Sequence, residues 1–177
     1  MNKNKIIIPL LVLISLFIGF KIYTTDRNKD KTESDLPNSR NSVMNLKDKS
    51  EIYLAGGCFW GVEGYFKKIP GVIETEVGYA NGNTSTTSYE EINKTDHSET
   101  VKVTYDSNKI SLQDILEYYF RIIDPTSVNK QGNDIGRQYR TEIYYTNEND
   151  KLIINEIIRQ IQEQHKKKNR SRSRSFE

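Results

Sequence analysis

The 177-residue chain has one cysteine, one tryptophan, two histidines, two methionines and four prolines. A single cysteine excludes an internal disulfide, so the redox compartment cannot be read from cysteine pairing. Two histidines, His97 and His165, are too few to argue for a metal site. The formal net charge of +2 is too small to name a partner. No internal repeat is present, and a hydrophobic content of 35% beside 28% charged residues is ordinary for a globular core. At this length the chain accommodates one domain with appendages.

Its one long apolar run, Ile6 to Phe20, is interrupted only by Pro9, Ser15 and Gly19 and follows Lys3 and Lys5. A comfortable membrane span needs roughly 20 apolar residues, so 1–23 reads as a signal peptide or a short membrane anchor, a hydrophobic helix in either case. No small-x-small cleavage site and no lipobox cysteine follow, which favours an uncleaved anchor. Lys21, Arg27, Lys29 and Lys31 outnumber the basic residues upstream, which opposes a simple orientation with the N-terminus inside. Residues 24–50 are polar and lack either period, as expected of a linker. The expected domain occupies 51–165, and 166–177 forms a basic tail of alternating Arg and Ser. The expected location is the bacterial cell envelope, anchored or exported. An envelope protein does not meet nucleic acid, so the tail reads as solvated charge.

Cys58 and Trp60 lie together in Gly56-Gly57-Cys58-Phe59-Trp60-Gly61. The β-prone run Glu51 to Ala55 leads in, and Val62 to Phe66 continues with helical patterning, so Cys58 is expected at a strand-to-helix turn. A helix start presents free N–H groups and the positive end of its dipole, and both stabilise a thiolate. A lone cysteine is more often a small buried hydrophobe. Here three glycines and two aromatics flank it, and the glycines are expected to let other groups approach the sulfur closely. Cys58 is therefore a candidate nucleophile.

The elements then follow in order. A strand near 52–55 precedes a helix from about Phe59 to Lys68, stopped by Pro70-Gly71. Ile73, Thr75, Val77 and Tyr79 alternate with polar residues in a second strand, and Val101, Val103 and Tyr105 do so in a third. Ser111 caps a helix carrying Leu112, Ile115, Leu116 and Tyr119 at helical spacing, ended by Asp124-Pro125. A fourth strand fits Thr141 to Tyr145, and a last helix runs from about Glu148 to His165 with Ile154, Ile157, Ile158 and Ile161 on its core face. This order predicts an α+β fold, a ferredoxin-like βαββαβ two-layer sandwich with an extra C-terminal helix.

Two connections, Ala80 to Ser98 and Asp124 to Arg140, are longer than this architecture requires, which is common for functional loops. Both are expected to reach the edge of the sheet that carries Cys58. Glu99, where the first loop meets its strand, is the candidate acid, since a desolvated Glu has its pKa raised. By position alone an exposed strand-end carboxylate paired with Lys is the better reading.

Gly57-Cys58-Phe59-Trp60-Gly61, Gly78-Tyr79, His97-Ser98-Glu99, and Gln131-Gly132-Asn133-Asp134 with Gln138-Tyr139-Arg140 together resemble the A-type peptide methionine sulfoxide reductases in order and spacing. The resemblance runs from about Glu51 to the last helix. It implies that Cys58 attacks the sulfoxide sulfur while Glu99 donates a proton to the oxygen, with hydrogen bonds from Tyr79 and Tyr139. Phe59 and Trp60 are then the wall that receives the S-methyl group and selects the S epimer. Asp134 orients substrate or water, and His97 supports the loop beside the substrate. Methionine leaves, and Cys58 becomes a sulfenic acid. No bound cofactor or metal is implied. The partners implied are oxidised proteins and peptides and an external thiol such as thioredoxin, with the protein acting as a monomer. Asp96 stands where the family often has Gly, and its charge is expected to push the Glu99 pKa further up.

Members of that family normally continue past the last helix with a further strand, an acidic and aromatic segment, and often resolving cysteines. The chain is therefore expected to be C-terminally truncated and dependent on direct reduction of Cys58. An inactive remnant of the family is one competing reading. A ferredoxin-like binding module is another, although Thr100 to Tyr105 lacks the aromatic platform that RNA-recognition domains use.

Overall fold

A computed structural model describes residues 14–16 and 48–174. Most of the expected anchor and linker, and residues 175–177 of the tail, lie outside them. Four strands form the centre of the sheet: β2 (Lys49–Ala55), β3 (Val72–Ala80), β4 (Ser98–Asp106) and β7 (Glu142–Tyr145). Their order is β7-β2-β4-β3, and each neighbouring pair is antiparallel. A short edge strand, β1 (Ile14–Leu16), pairs parallel with β7. Among the described residues no helix is long and apolar enough to cross a membrane.

Strand alternation sorts the side chains onto two faces. Ile52, Leu54, Val101, Val103, Tyr105, Ile143 and Tyr145 share one buried cluster with residues of three helices. These are α1 (Phe59–Phe66), α3 (Leu112–Ile122) and α4 (Asp150–Arg174). Tyr53, Ala55, Ala80 and Tyr144 form a second cluster from the opposite positions. In β3 the register slips between Val72 and Glu74, so Val72 joins the core at the start of the strand where Ile73 was expected. α3 begins with a reciprocal cap: Ser111 Oγ accepts from the Asp114 N–H at 3.1 Å, and the Asp114 carboxylate accepts from the Ser111 N–H at 3.1 Å. α4 buries Ile154 and Ile157 as its stripe requires, but it runs to Arg174 where an end near His165 was expected.

Both long connections contain structure of their own. The first holds the four-residue helix α2 (Ile92–Thr95). The second holds a hairpin of β5 (Lys130–Gln131) and β6 (Asp134–Ile135), then a 3-10 turn over Arg137–Tyr139.

The glycines before Cys58 serve packing between elements. A Cβ on Gly56 would lie 2.8 Å from Ile123 Cγ2 and 3.3 Å from the Tyr119 ring. Gly57 has φ +86, and a Cβ there would meet the Gln131 side chain at 3.0 Å. Gly61 faces open space. The turn is thus pressed onto α3 and the second loop, and the expectation that all three glycines open the sulfur to other groups is corrected. Gly56→Ala should overpack this junction and lower unfolding stability by about 1–3 kcal/mol. Gly61→Ala, in a helix and uncrowded, should raise it by up to about 1 kcal/mol. Urea unfolding of the two variants beside the parent checks both signs.

Candidate active site

Cys58 occupies the N-cap position of α1 with extended backbone (φ −61, ψ 120), and its carbonyl accepts from the Gly61 N–H at 3.0 Å. Its side chain is half-buried against the core. The next residue, Phe59, begins the helix and has an N–H without an intrahelical partner. That N–H donates to Glu99 Oε2 at 3.0 Å in a buried bond.

Glu99 is the second residue of β4 and shares the parity of Val101, Val103 and Tyr105, so its side chain belongs to the helix face. It is 2% exposed, which rules out the alternative of a solvent-facing carboxylate paired with Lys. Burial pushes its carboxyl pKa up; the Phe59 N–H opposes that rise, and the negative charge of Asp134 adds to it. Asp96, expected to supply that charge, does not do so. Its carboxylate is held by Arg137 Nε at 2.6 Å and Nη2 at 2.8 Å, and this hydrogen-bonded guanidinium holds its pKa low. The anion acting on Glu99 comes from the β5-β6 hairpin.

Tyr79 stands directly opposite Glu99 in the β3-β4 register, which puts both side chains on one face. Burial raises its pKa, and the neighbouring Glu99 raises it further. Tyr139 ends the 3-10 turn, and its carbonyl accepts from the Gly57 N–H at 3.2 Å, so the second loop is docked on the cysteine turn. Burial also raises the Tyr139 pKa, followed by the charge of Glu99. Both phenols are thus protonated donors at neutral pH, close enough to feel Glu99.

The two aromatics after Cys58 diverge. Phe59 is 4% exposed, with its ring centroid 5.8 Å from Tyr79 and 5.4 Å from Trp60. Trp60 is 63% exposed. Tyr89 stacks on Trp60 at 6.4 Å with an interplanar angle of 19° and acts electrostatically on both Tyr79 and Tyr139. The sequence reading passed over Tyr89. Its signal was a single aromatic residue in the otherwise polar loop from Asn81 to Glu91.

The structure therefore gathers Cys58, Phe59, Trp60, Tyr79, Glu99, Asp134 and Tyr139, and adds Tyr89. His97 is placed elsewhere. It is buried, its Nδ1 lies 3.0 Å from Thr95 Oγ1, and its ring occupies the space a Cβ on Gly82 would need. Burial lowers its pKa, so it is a neutral imidazole that shapes the first loop. Among the described residues no group of three or more His, Cys, Asp or Glu is arranged to hold a metal ion.

A half-buried thiol, a buried carboxylic acid and phenol donors beside an aromatic wall form a site suited to attack on an electrophile whose oxygen must be protonated. Residues 50–173 match the peptide methionine sulfoxide reductase family. Among solved structures, methionine sulfoxide reductase A of Corynebacterium diphtheriae is similar at 33% identity and a TM-score of 0.64, over 75% of this chain and 63% of that one. The chain thus spans less than two thirds of that relative. Mxr1 from Saccharomyces cerevisiae in reduced form is similar at 33% identity and a TM-score of 0.64, over 68% of this chain and 72% of that one. Mxr1 is also known in complex with Trx2, a structure matched at 24% identity with a TM-score of 0.50, over 71% of this chain and 74% of that one. The family match spans well over half of the 177 residues, and the chain belongs to the peptide methionine sulfoxide reductase family.

Proposed function

We propose that this protein reduces methionine S-sulfoxide in proteins and peptides to methionine. The observation that carries the reading is the buried Glu99 carboxyl, held at 3.0 Å by the N–H of the residue after Cys58. Cys58 Sγ attacks the sulfoxide sulfur as Glu99 passes its proton to the oxygen. The attack forms an S–S bond; as that bond and the substrate S–O bond break, the protonated oxygen passes to Cys58 Sγ, so methionine departs with the bonding pair and Cys58 is left as a sulfenic acid. The sulfur of the substrate gains the two electrons that the cysteine sulfur loses.

Tyr79 and Tyr139 donate hydrogen bonds to the sulfoxide oxygen, and the position of Tyr89 makes it a third candidate donor. Phe59 and Trp60 receive the S-methyl group. Asp134, whose charge acts on Glu99, orients substrate or water. Within these 177 residues no second cysteine can resolve the sulfenic acid. Two equivalents of an external thiol therefore return Cys58 to the thiol, releasing water and a disulfide. Thioredoxin fits that role, and the pairing of Mxr1 with Trx2 supports it.

The domain is read as ferredoxin-like, supported by the order β7-β2-β4-β3 and by helices on one sheet face. The apolar run Ile6 to Phe20 supports a place at the cell envelope.

The purified protein, given a methionine sulfoxide peptide and dithiothreitol, should release methionine, and Cys58→Ser should abolish turnover. A folded parent without turnover, or a Cys58→Ser variant that retains it, overturns the reading. Of the phenols, Tyr139→Phe, Tyr79→Phe and Tyr89→Phe should each lower kcat by about 10-fold or more if they hold the oxygen. A phenol whose loss leaves kcat unchanged is not a donor.

Glu99 also sets a pH dependence. Its acid form is the active one, so kcat should fall as pH rises through its raised pKa, and Glu99→Gln should lose that limb along with most of its activity. The same shift acts on stability. The folded protein holds its Glu99 proton to higher pH than the unfolded chain, whose carboxyl titrates near the ordinary value of 4.5. The stability this group contributes is therefore full below pH 4.5 and is lost as pH rises through the folded value. Glu99→Gln should melt higher than the parent at pH 7, and the gap should narrow in acid. A gap that widens on acidification contradicts the burial argument.

A further inference from the structure

The sheet face turned away from the helices carries a second polar cluster, centred on Glu142, which is 1% exposed. Its Oε1 accepts from Asn81 Nδ2 at 3.0 Å, and its Oε2 accepts from Arg140 Nε at 2.8 Å and from the Tyr144 hydroxyl. Arg140, 8% exposed, donates from Nη1 to the Arg137 carbonyl at 3.0 Å and from Nη2 to the Asn81 carbonyl at 2.8 Å, and its Nη1 lies 3.9 Å from the Asp96 carboxylate. The Tyr144 hydroxyl lies 2.8 Å from Ser98 Oγ, which donates to the Ala80 carbonyl at 3.2 Å. At the rim, Arg137 forks onto Asp96.

Each contact lies within three residues of a side chain of the Cys58 site. Ala80 and Asn81 follow Tyr79, Ser98 and Asp96 flank the approach to Glu99, and Arg137 and Arg140 bracket Tyr139. The 3-10 turn needs such ties. A turn this short has few hydrogen bonds of its own, here Tyr139 N–H to Gly136 O at 3.1 Å and Arg140 N–H to Arg137 O at 3.2 Å. Net stability is a weak reason to bury an ion pair, because desolvation offsets much of its attraction. What the planar guanidinium provides is direction, with several bonds fixed in one geometry.

We propose that Arg140 and Glu142, with the Asp96–Arg137 pair at the rim, are positioning residues. They lock the Arg137–Tyr139 turn, and with it the Tyr139 phenol, against the Gly57-Cys58 turn. The kinetic consequence rests on the reading that Tyr139 acts on a sulfoxide; the structural consequence does not.

Gly57 supplies a direct reporter, because its N–H donates to the Tyr139 carbonyl at 3.2 Å. Amide hydrogen exchange followed by NMR in the parent, Glu142→Gln, Arg140→Lys and Asp96→Asn reads whether the turn stays docked. Arg140→Lys keeps the charge and loses the fork, and Asp96→Asn keeps the side-chain shape at the half-buried rim, where the carboxylate meets Arg137 and lies 3.9 Å from Arg140 Nη1, so both should fold if Glu142→Gln does not. Exchange at Gly57 should rise about 10-fold in Arg140→Lys and by a few-fold in Asp96→Asn, while the amides of Val101 and Val103 in mid-strand keep parental rates. With a methionine sulfoxide peptide, kcat should fall about 10-fold or more in Arg140→Lys while KM stays within about twofold, since the loss is one of alignment. Gly57 exchange unchanged in both Arg140→Lys and Asp96→Asn overturns the proposal. A parent without turnover defeats the sulfoxide reading alone, because the exchange rates still decide whether the turn is held.

Discussion

One buried hydrogen bond, from the Phe59 backbone N–H to Glu99 Oε2 at 3.0 Å, joins the start of α1 to the start of β4. It meets two needs at once. A helix start has N–H groups that its own backbone cannot satisfy, and a carboxyl with 2% exposure needs a donor. Because the donor belongs to the residue after Cys58, the same bond sets the candidate acid beside the candidate nucleophile. The amide favours the carboxylate, whereas burial and the Asp134 charge favour the acid, and the upward shift shows that burial prevails. A carboxyl tuned this way remains a proton donor at higher pH than an exposed glutamate.

That bond needs a β4 that starts in the right place, and strand alternation then divides its labour. Glu99 faces the helices, while its neighbour Ser98 faces the opposite side, beside the Tyr144 hydroxyl and Glu142. Two consecutive residues thus connect the face that carries Glu99 with the buried polar cluster behind the sheet. Asn81 leaves that alternation, because it lies just past the end of β3 with a left-handed backbone (φ 54): Tyr79 faces Glu99, while the Asn81 side chain donates to Glu142. The β7 edge closes the arrangement, since Glu142 begins that strand and Arg140 leads into it from the turn that carries Tyr139. The candidate site is thus on one face and the buried ion pair on the other, with the sheet connecting them.

The strands and helices of the domain were readable because their residues carry periods. Val101, Val103 and Tyr105 alternate, and Leu112, Ile115, Leu116 and Tyr119 recur along a helix, so their burial follows from pattern alone. The strand-to-helix turn at Cys58 was readable for the same reason. What pattern could not convey was contact between distant segments. Asp96 is three residues from Glu99 in the chain, yet its αL backbone (φ 55) turns it to Arg137, while Asp134 from the other loop becomes the charge that matters. The need for glycine at positions 56 and 57 was visible, but its cause was not, because Ile123, Tyr119 and Gln131 are distant in sequence. Tyr89 was missed because a lone aromatic residue in a polar loop has no period, and only its stacking on Trp60 reveals it.

The divergence of Phe59 and Trp60 follows from the helix they begin. Successive residues of an α-helix point about 100° apart, so if one is fixed in the core the next is turned toward the rim. Phe59 is fixed by its N–H on Glu99 and by its ring against Tyr79, and Trp60 is thereby exposed. The site therefore has a gradient of depth: an acid that must be dry, a half-buried thiol, and an outer aromatic pair of Trp60 and Tyr89 that remains wet. The geometry that dries Glu99 is thus the same geometry that leaves the Trp60 ring at the surface.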